Sequence, residues 1–341
     1  MTLATILALL IVMLASATLC ALLIVILKPL LQRYALARPN ARSSHHVPTP
    51  QGAGLAVIAA TLLIAGAAAL FATIFDPLKM TLVFGAALLV GVVGAIDDLR
   101  PLPVAPRLAL QAVAVALAIY AAGGTTSLFP LLPFWLEKGL LLLTGLWFVN
   151  LVNFMDGIDW ITAAEVVPVS AALIVLGLIG GLPLLPVLIA TALCGAMIGF
   201  APFNRPVAKV FLGDVGSLPI GLLLGWCLLE LATRGHVVPA LLLPLYYLCD
   251  ATLTLARRAL KREPVWQAHR THFYQRATDN GFSVMAIVTR IFALNVLLAA
   301  MALISAAAGS GLVDALCLIA GLCAVALVLL IFSRPRSLSA N

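Results

Sequence analysis

Charge is scarce in this chain: Asp, Glu, Lys and Arg make up only 10% of 341 residues, against 63% hydrophobic. That balance excludes a soluble multidomain protein of this length. Mean hydropathy is +1.16, and the apolar residues come in runs rather than in alternation. Low-complexity linkers, a soluble domain and a strong internal repeat are all missing, so residues 1–341 read as a single integral membrane domain. The six cysteines lie inside apolar runs without a Cys-x-x-Cys pair or a ligand cluster beside them, which argues against a disulfide framework or a zinc site. The first run lacks a basic leader and passes Ala15-Ser16-Ala17 without a break, so it reads as a retained anchor rather than a cleaved signal.

What is present is a series of membrane-length segments. A helix needs about 20 apolar residues to cross the hydrocarbon, and about eleven such spans can be drawn: 3–32, 53–75, 79–96, 107–123, 139–155, 162–180, 184–200, 217–233, 239–258, 283–308 and 313–332. The fold class expected is therefore all-α, a polytopic transmembrane bundle. Net charge is +7, but its distribution points to topology rather than to nucleic acid. Most Lys and Arg fall in the connections after odd-numbered spans, while the other side holds Lys79, Lys138 and Arg234. Basic loops stay cytoplasmic, which puts the N-terminus in the periplasm or exterior and the C-terminus in the cytoplasm.

Polar clusters follow the same side: 42–52, 97–107, 153–165, 204–217 and 257–282. Ionisable groups at a membrane are costly and tend to be functional, so this one-sided collection predicts one active site facing the cytosol. Asp97 and Asp98 end span three. Adjacent carboxylates on a helix point about 100° apart, so one can meet a metal while the other faces a second substrate; two solvated helix-end acids are the bland alternative. In Asn150-Leu-Val-Asn-Phe-Met-Asp-Gly-Ile-Asp-Trp160, a helix would place Asn153, Asp156 and Asp159 on one face, an oxygen set suited to Mg²⁺ shared with phosphates. Asp214 sits between Gly213 and Gly216 before span eight. Glycine admits close backbone approach and a helix N-terminus attracts anions, so a cation-bound diphosphate fits there; a plain N-terminal turn capped by Ser217 is the alternative. His269, Arg270, His272 and Arg276 form a donor patch suited to phosphate, with metal ligation as a minor reading. Arg42, His45 and His46 stand in a Pro- and Gly-shaped turn and can steer an anionic headgroup. Asp250, inside span nine, reads equally as a groove-facing group or as a buried acid paired with arginine.

Taken in order from Arg42 to Arg276, these five motifs resemble the polyprenyl-phosphate N-acetylhexosamine-1-phosphate transferases. His269-Arg-Thr-His272 and the eleventh span are more similar to the O-antigen-initiating branch than to the peptidoglycan enzyme, phospho-N-acetylmuramoyl-pentapeptide transferase, which is the alternative. Trp160 departs from the family, where Gly is frequent. The resemblance implies that undecaprenyl phosphate attacks the β-phosphorus of a UDP-N-acetylhexosamine, releasing UMP, as the first membrane step of a cell-envelope polysaccharide. It implies Mg²⁺, or Mn²⁺ in its place, with Asp214 as leading ligand and Asp98 and Asp156 near the metal. Asp97 would accept a proton from, or orient, the lipid phosphate; Asn153 and Asp159 would hold the nucleotide. His269, Arg270, His272 and Lys209 would contact phosphates, with Arg42, His46, Gly213, Ser217 and Arg276 also binding substrate. Partners implied are the UDP-sugar, undecaprenyl phosphate and membrane lipid, no nucleic acid, and by analogy a homodimer. A transporter also has many spans, but it concentrates polar groups at the midplane. For an intramembrane aspartyl protease, Phe211 replaces the first glycine of Gly-x-Gly-Asp, and a CDP-alcohol phosphotransferase needs a different Asp-Gly run.

Overall fold

The structure is a computed structural model that describes residues 2–37, 48–72, 76–123, 127–264 and 269–335. Among these residues there are thirteen helices: α1 (Leu3–Tyr34), α2 (Gly54–Ala72), α3 (Pro77–Leu99), α4 (Val104–Ala121), α5 (Phe134–Phe154), α6 (Ile161–Leu178), α7 (Leu184–Phe200), α8 (Asp214–Ala232), α9 (Val237–Leu242), α10 (Leu245–Leu260), α11 (Phe273–Asp279), α12 (Val284–Ala308) and α13 (Gly311–Ser333). Nine are long and apolar enough to cross a membrane, and α7 is a shorter apolar helix. The two remaining expected crossings, the seventh and the ninth, are α7 and a broken element: span nine is two helices, α9 and α10, separated at Leu243-Pro244. Pro244 has no N–H to donate to the preceding turn, which is why an apolar run that looks continuous is interrupted there. A two-stranded antiparallel ribbon, β1 (Leu36–Ala37) with β2 (Thr49–Pro50), was not expected; it closes the connection after α1.

Of the long spans α8 is the most buried and α1 the least. Lipid replaces water around such a bundle, so apolar area gives no net drive between helices and close packing must hold them. Along α1 and α7 this is done by small residues. A Cβ on Gly195 or Gly199 would stand 2.1 or 2.2 Å from the carbonyl oxygens of Met13 and Ala17, and Ser16 donates to the Ala192 carbonyl at 2.6 Å. Pro168 leaves the Ala164 carbonyl without its helical donor; Asn295 of α12 donates to that oxygen instead, at 3.0 Å.

The C-terminal ends of α3, α5, α7 and α10 and the N-terminal ends of α2, α6 and α8 share one end of the bundle, where the polar loops gather. At the opposite end the few charges serve the scaffold. Asp76 accepts the Leu78 and Lys79 amides as the cap of α3, Lys79 pairs with Glu230 of α8 at 2.7 Å, and Glu137 accepts from Ser127 and Leu128.

Candidate active site

The site is built around the N-terminus of α8. Its first amides have no helical acceptors, and the acceptor comes from another helix: Asp98 at the end of α3 takes the Asp214 N–H at 2.9 Å and the Val215 N–H at 3.0 Å. Gln51, next to β2, donates to the same carboxylate at 2.5 Å. Gly213 has φ +77, and a Cβ there would lie 2.6 Å from Asp98 Oδ2; only glycine allows this turn and this cap together. Gly94 admits α3 against the start of α8, since its Cβ would fall 2.3 Å from the Asp214 carbonyl oxygen. Ser217, offered by the sequence as a cap and a substrate contact, is neither cap nor exposed: the cap position is Gly213 and Ser217 lies one turn inside α8, 1% exposed.

Asp214 projects from the first residue of α8 beside Asp97 and Asp98, with Asn153 within hydrogen-bonding reach. Asp97 is anchored by Arg107 of α4 at 2.6 Å and by the Leu102 N–H at 2.6 Å. The expectation of one helical face for Asn153, Asp156 and Asp159 needs correction, because α5 ends at Phe154 and only Asn153 is helical. The chain turns there: Tyr274 donates its hydroxyl to the Phe154 carbonyl at 3.0 Å and a side chain at Gly157 would collide with that oxygen. Asp156 thus comes from a turn and accepts from Thr162 at 2.5 Å. Burial pushes its carboxyl up to about 6, helped by the charges of Asp98 and Asp159. Asp159 is buried and accepts the Ala208 N–H at 3.0 Å. Asn204 completes the brace, accepting from the Trp160 N–H at 2.8 Å and donating to the Val210 carbonyl at 3.0 Å. Trp160 itself has φ 65, a left-handed conformation that glycine adopts without cost; here the indole N–H bonds the Ala201 carbonyl at 2.6 Å.

Acids from α3, the α5–α6 turn and α8 therefore stand together, although their sequence positions are far apart. Among the described residues Asp98, Asp156 and Asp214 form no ion pair with a basic side chain. Nor do three His, Cys, Asp or Glu side chains among these residues form a complete protein-built metal cage. Magnesium does not need one: it keeps waters and takes one or two carboxylates plus substrate phosphates. The all-oxygen donor set of Asp156 and Asp214 fits that ion, whereas both Asp98 oxygens are already committed to amides.

The histidine loop is separate in construction. Asp250 of α10 is fully buried. It accepts the Phe273 and Tyr274 amides at 3.0 and 3.2 Å, capping α11, and meets His272 Nδ1 at 3.3 Å and the Tyr246 hydroxyl at 3.1 Å. It is a scaffold acid, but its partners are a helix end, an imidazole, a phenol and, at 3.3 Å, the Thr254 hydroxyl, rather than arginine. His272, expected to contact phosphate, is 2% exposed and stacked between His269 and Tyr274. His269 forms the outer layer of the stack. Burial first, then the neighbouring His272 and Arg258, push its pKa down to about 4, so it is a neutral imidazole at pH 7. Arg270 is turned onto α11, bonding Thr278 at 2.9 Å and Asp279 at 3.2 Å. Arg276 instead lines a cavity of about 360 Å³ with Arg257, Arg258, Lys261 and Thr271. One acid faces it, Glu263, paired with Arg258 at 2.8 Å. Lys209 is exposed on the 204–213 loop. Arg42 and His46, with His45, lie outside the described residues. Sequence reading missed Gln51, Arg107, Thr162 and Asn204 as site-building residues; Arg107, the one cation of span four, carried the only visible signal.

This fold defines a polytopic helical membrane protein with a cluster of acids gathered at one end of the bundle. Residues 80–232 match the family described as glycosyl transferase family 4. The chain is 26% identical over 297 residues to a probable undecaprenyl-phosphate N-acetylglucosaminyl 1-phosphate transferase of Bacillus subtilis, covering 82% of this chain and 81% of that protein. It is 27% identical over 298 residues to a decaprenyl-phosphate N-acetylglucosaminephosphotransferase of Mycobacterium tuberculosis, covering 76% and 72%. It is also 32% identical over 192 residues to a phospho-N-acetylmuramoyl-pentapeptide-transferase of Shouchella clausii, covering 51% and 58%. These likenesses support the polyprenyl-phosphate hexosamine-1-phosphate transferase superfamily, a group of glycosyl-1-phosphate transferases.

Proposed function

We propose that this protein transfers an N-acetylhexosamine 1-phosphate, or a 6-deoxy derivative, from a UDP-sugar to undecaprenyl phosphate at the cytoplasmic face of a bacterial inner membrane. A lipid phosphate oxygen bonds the β-phosphorus of the donor, the bond to the bridging oxygen breaks, and UMP leaves. The observation that carries the reading is the meeting of Asp97, Asp98, Asp156 and Asp214 at one end of the bundle. Phosphoryl transfer depends mostly on positioning and charge neutralisation, and those acids are the groups suited to hold the neutralising ion.

Asp214 and Asp156 would hold Mg²⁺, or Mn²⁺ in its place. Once bound, the ion neutralises the diphosphate and its leaving group. Asp98 keeps the first turn of α8 in place, so Asp214 points into the cluster. Asp97, fixed by Arg107, orients the lipid phosphate or accepts its proton. Neutral His269 and the basic cavity of Arg257, Arg258, Lys261 and Arg276 suit donor phosphate, with guanidinium forks matched to phosphate oxygens. An apolar cleft of about 360 Å³, lined by residues such as Val115, Leu141, Phe148, Leu222 and Trp226 and reaching Glu137 at the end away from the acids, suits the lipid tail. It runs along α5 and α8, the helices that carry Asn153 and Asp214 at their site ends. The His269-Arg-Thr-His272 sequence supports an O-antigen-type pathway, while the likeness to the pentapeptide transferases supports muramoyl donors as the second reading. Purified protein in phospholipid nanodiscs, given undecaprenyl phosphate, Mg²⁺ and a panel of UDP-sugars, should release UMP with an N-acetylhexosamine donor. Release only with UDP-N-acetylmuramoyl-pentapeptide would move the protein to the second reading, and release with none would overturn both.

A further inference from the structure

One buried polar chain has no part in the reaction outlined above. It starts at Asp156, where the Thr162 hydroxyl donates at 2.5 Å. Thr162 lies in the first turn of α6 and is 2% exposed. Beside it is the hydroxyl of Tyr247 on α10, which also faces Asp156 and Glu165. Glu165 is three residues on from Thr162, hence on the same side of α6; it is 2% exposed, and its Oε2 accepts from Asn295 Nδ2 of α12 at 2.7 Å. The Tyr247 hydroxyl and Glu165 Oε1 are both buried without a direct hydrogen-bond partner. An acid and a phenol buried at a junction of three helices are costly where apolar side chains would pack as well.

Thr162 explains what they do. Its hydroxyl has one proton, and a helical threonine readily spends that proton on a carbonyl one turn back. A neighbour that donates into Thr162 Oγ1 leaves the threonine proton for Asp156. Tyr247 is placed to be that neighbour, and Glu165, held by Asn295, limits where the phenol turns; one buried water between Glu165 Oε1 and the phenol would satisfy both unpaired atoms.

We propose that Tyr247 and Glu165 are positioning residues for the acid cluster, acting on Asp156 through Thr162. The inference rests on the transfer reading only in taking Asp156 as a site residue. Its test uses full-length protein in nanodiscs and the variants Thr162→Val, Thr162→Ser, Tyr247→Phe, Glu165→Gln and Thr162→Val with Tyr247→Phe, with Asp156→Ala beside them. Mn²⁺ affinity is read by electron paramagnetic resonance without substrate, together with kcat, KM and the thermal midpoint. Partners behind a metal ligand typically matter by about 10–100-fold, so Thr162→Val and Tyr247→Phe should each weaken Mn²⁺ about tenfold at an unchanged midpoint. Thr162→Ser should restore affinity, Glu165→Gln should show a smaller loss, and the double variant should be no worse than Thr162→Val alone. Normal Mn²⁺ affinity and kcat in Tyr247→Phe and Glu165→Gln, or losses that add in the double variant, would overturn the proposal. Full activity and normal Mn²⁺ affinity in Asp156→Ala would instead remove Asp156 from the site, and this inference with it, while leaving the transfer reading standing.

Discussion

Asp98 and Asp214 look alike in the sequence, yet the structure gives their removal opposite effects on stability. Asp98→Ala takes the acceptor from two α8 amides and from the Gln51 amide. Loss of a helix cap costs about 0.5–2 kcal/mol and a hydrogen bond to a charged group contributes about 1.5–3 kcal/mol, so a loss of about 2–4 kcal/mol is expected. Asp98→Asn keeps one acceptor oxygen and should lose about half of that. Asp214→Ala removes a carboxylate that faces two others and caps nothing. Relief of like-charge repulsion should leave stability unchanged or slightly raised, while transfer collapses. Thermal unfolding in one detergent, measured on all three variants beside a transfer assay, separates the roles. Wild-type stability in Asp98→Ala together with a destabilised Asp214→Ala would refute the capping argument.

Gly213→Ala places a non-glycine residue at φ +77 and its Cβ 2.6 Å from Asp98 Oδ2. The left-handed conformation alone costs about 1–2 kcal/mol, so the unfolding midpoint and turnover should both drop; a neutral result would show that the turn relaxes freely. His269 gives the pH dependence. Its folded pKa of about 4 lies below its ordinary 6.5, so the unfolded chain binds the proton first as pH falls. Stability attributable to His269 is therefore constant above about pH 6.5 and declines from there toward pH 4. Unfolding midpoints across that range should show a shallower decline in His269→Gln, and identical profiles would contradict the burial of that imidazole.

The spans were legible because a membrane helix declares itself by local hydropathy alone, and the gathering of Asp97, Asp98, Asp156 and Asp214 at one end of the bundle followed the recurrence of polar clusters in alternate connections. Local signals could not show that α9 and α10 are two helices, since Pro244 sits in an otherwise unbroken apolar run. Nor could they assign Asp98, whose backbone N–H donors lie on another helix. Asp250 is the same case, a carboxylate on α10 that caps α11. For both, the sequence marks a costly acid at a membrane but not which backbone donors it meets. The Asn153 to Asp159 spacing suggested a helix face because a period of three fits one; Tyr274, Asn204 and Gly157 bend that segment into a turn, and all three act through tertiary contacts. Trp160 shows the converse, a residue that breaks the local rule for a left-handed position and is held there by Asn204 and Ala201.

In the proposed reaction the β-phosphorus of the donor ends on the lipid phosphate. Donor labelled at the β-phosphorus, incubated with undecaprenyl phosphate and the protein, follows that group directly. The label should enter the lipid extract while unlabelled UMP is released, and both should stop in chelator and in Asp214→Ala. Label that stays with the nucleotide, or that reaches lipid equally well in Asp214→Ala, would contradict it.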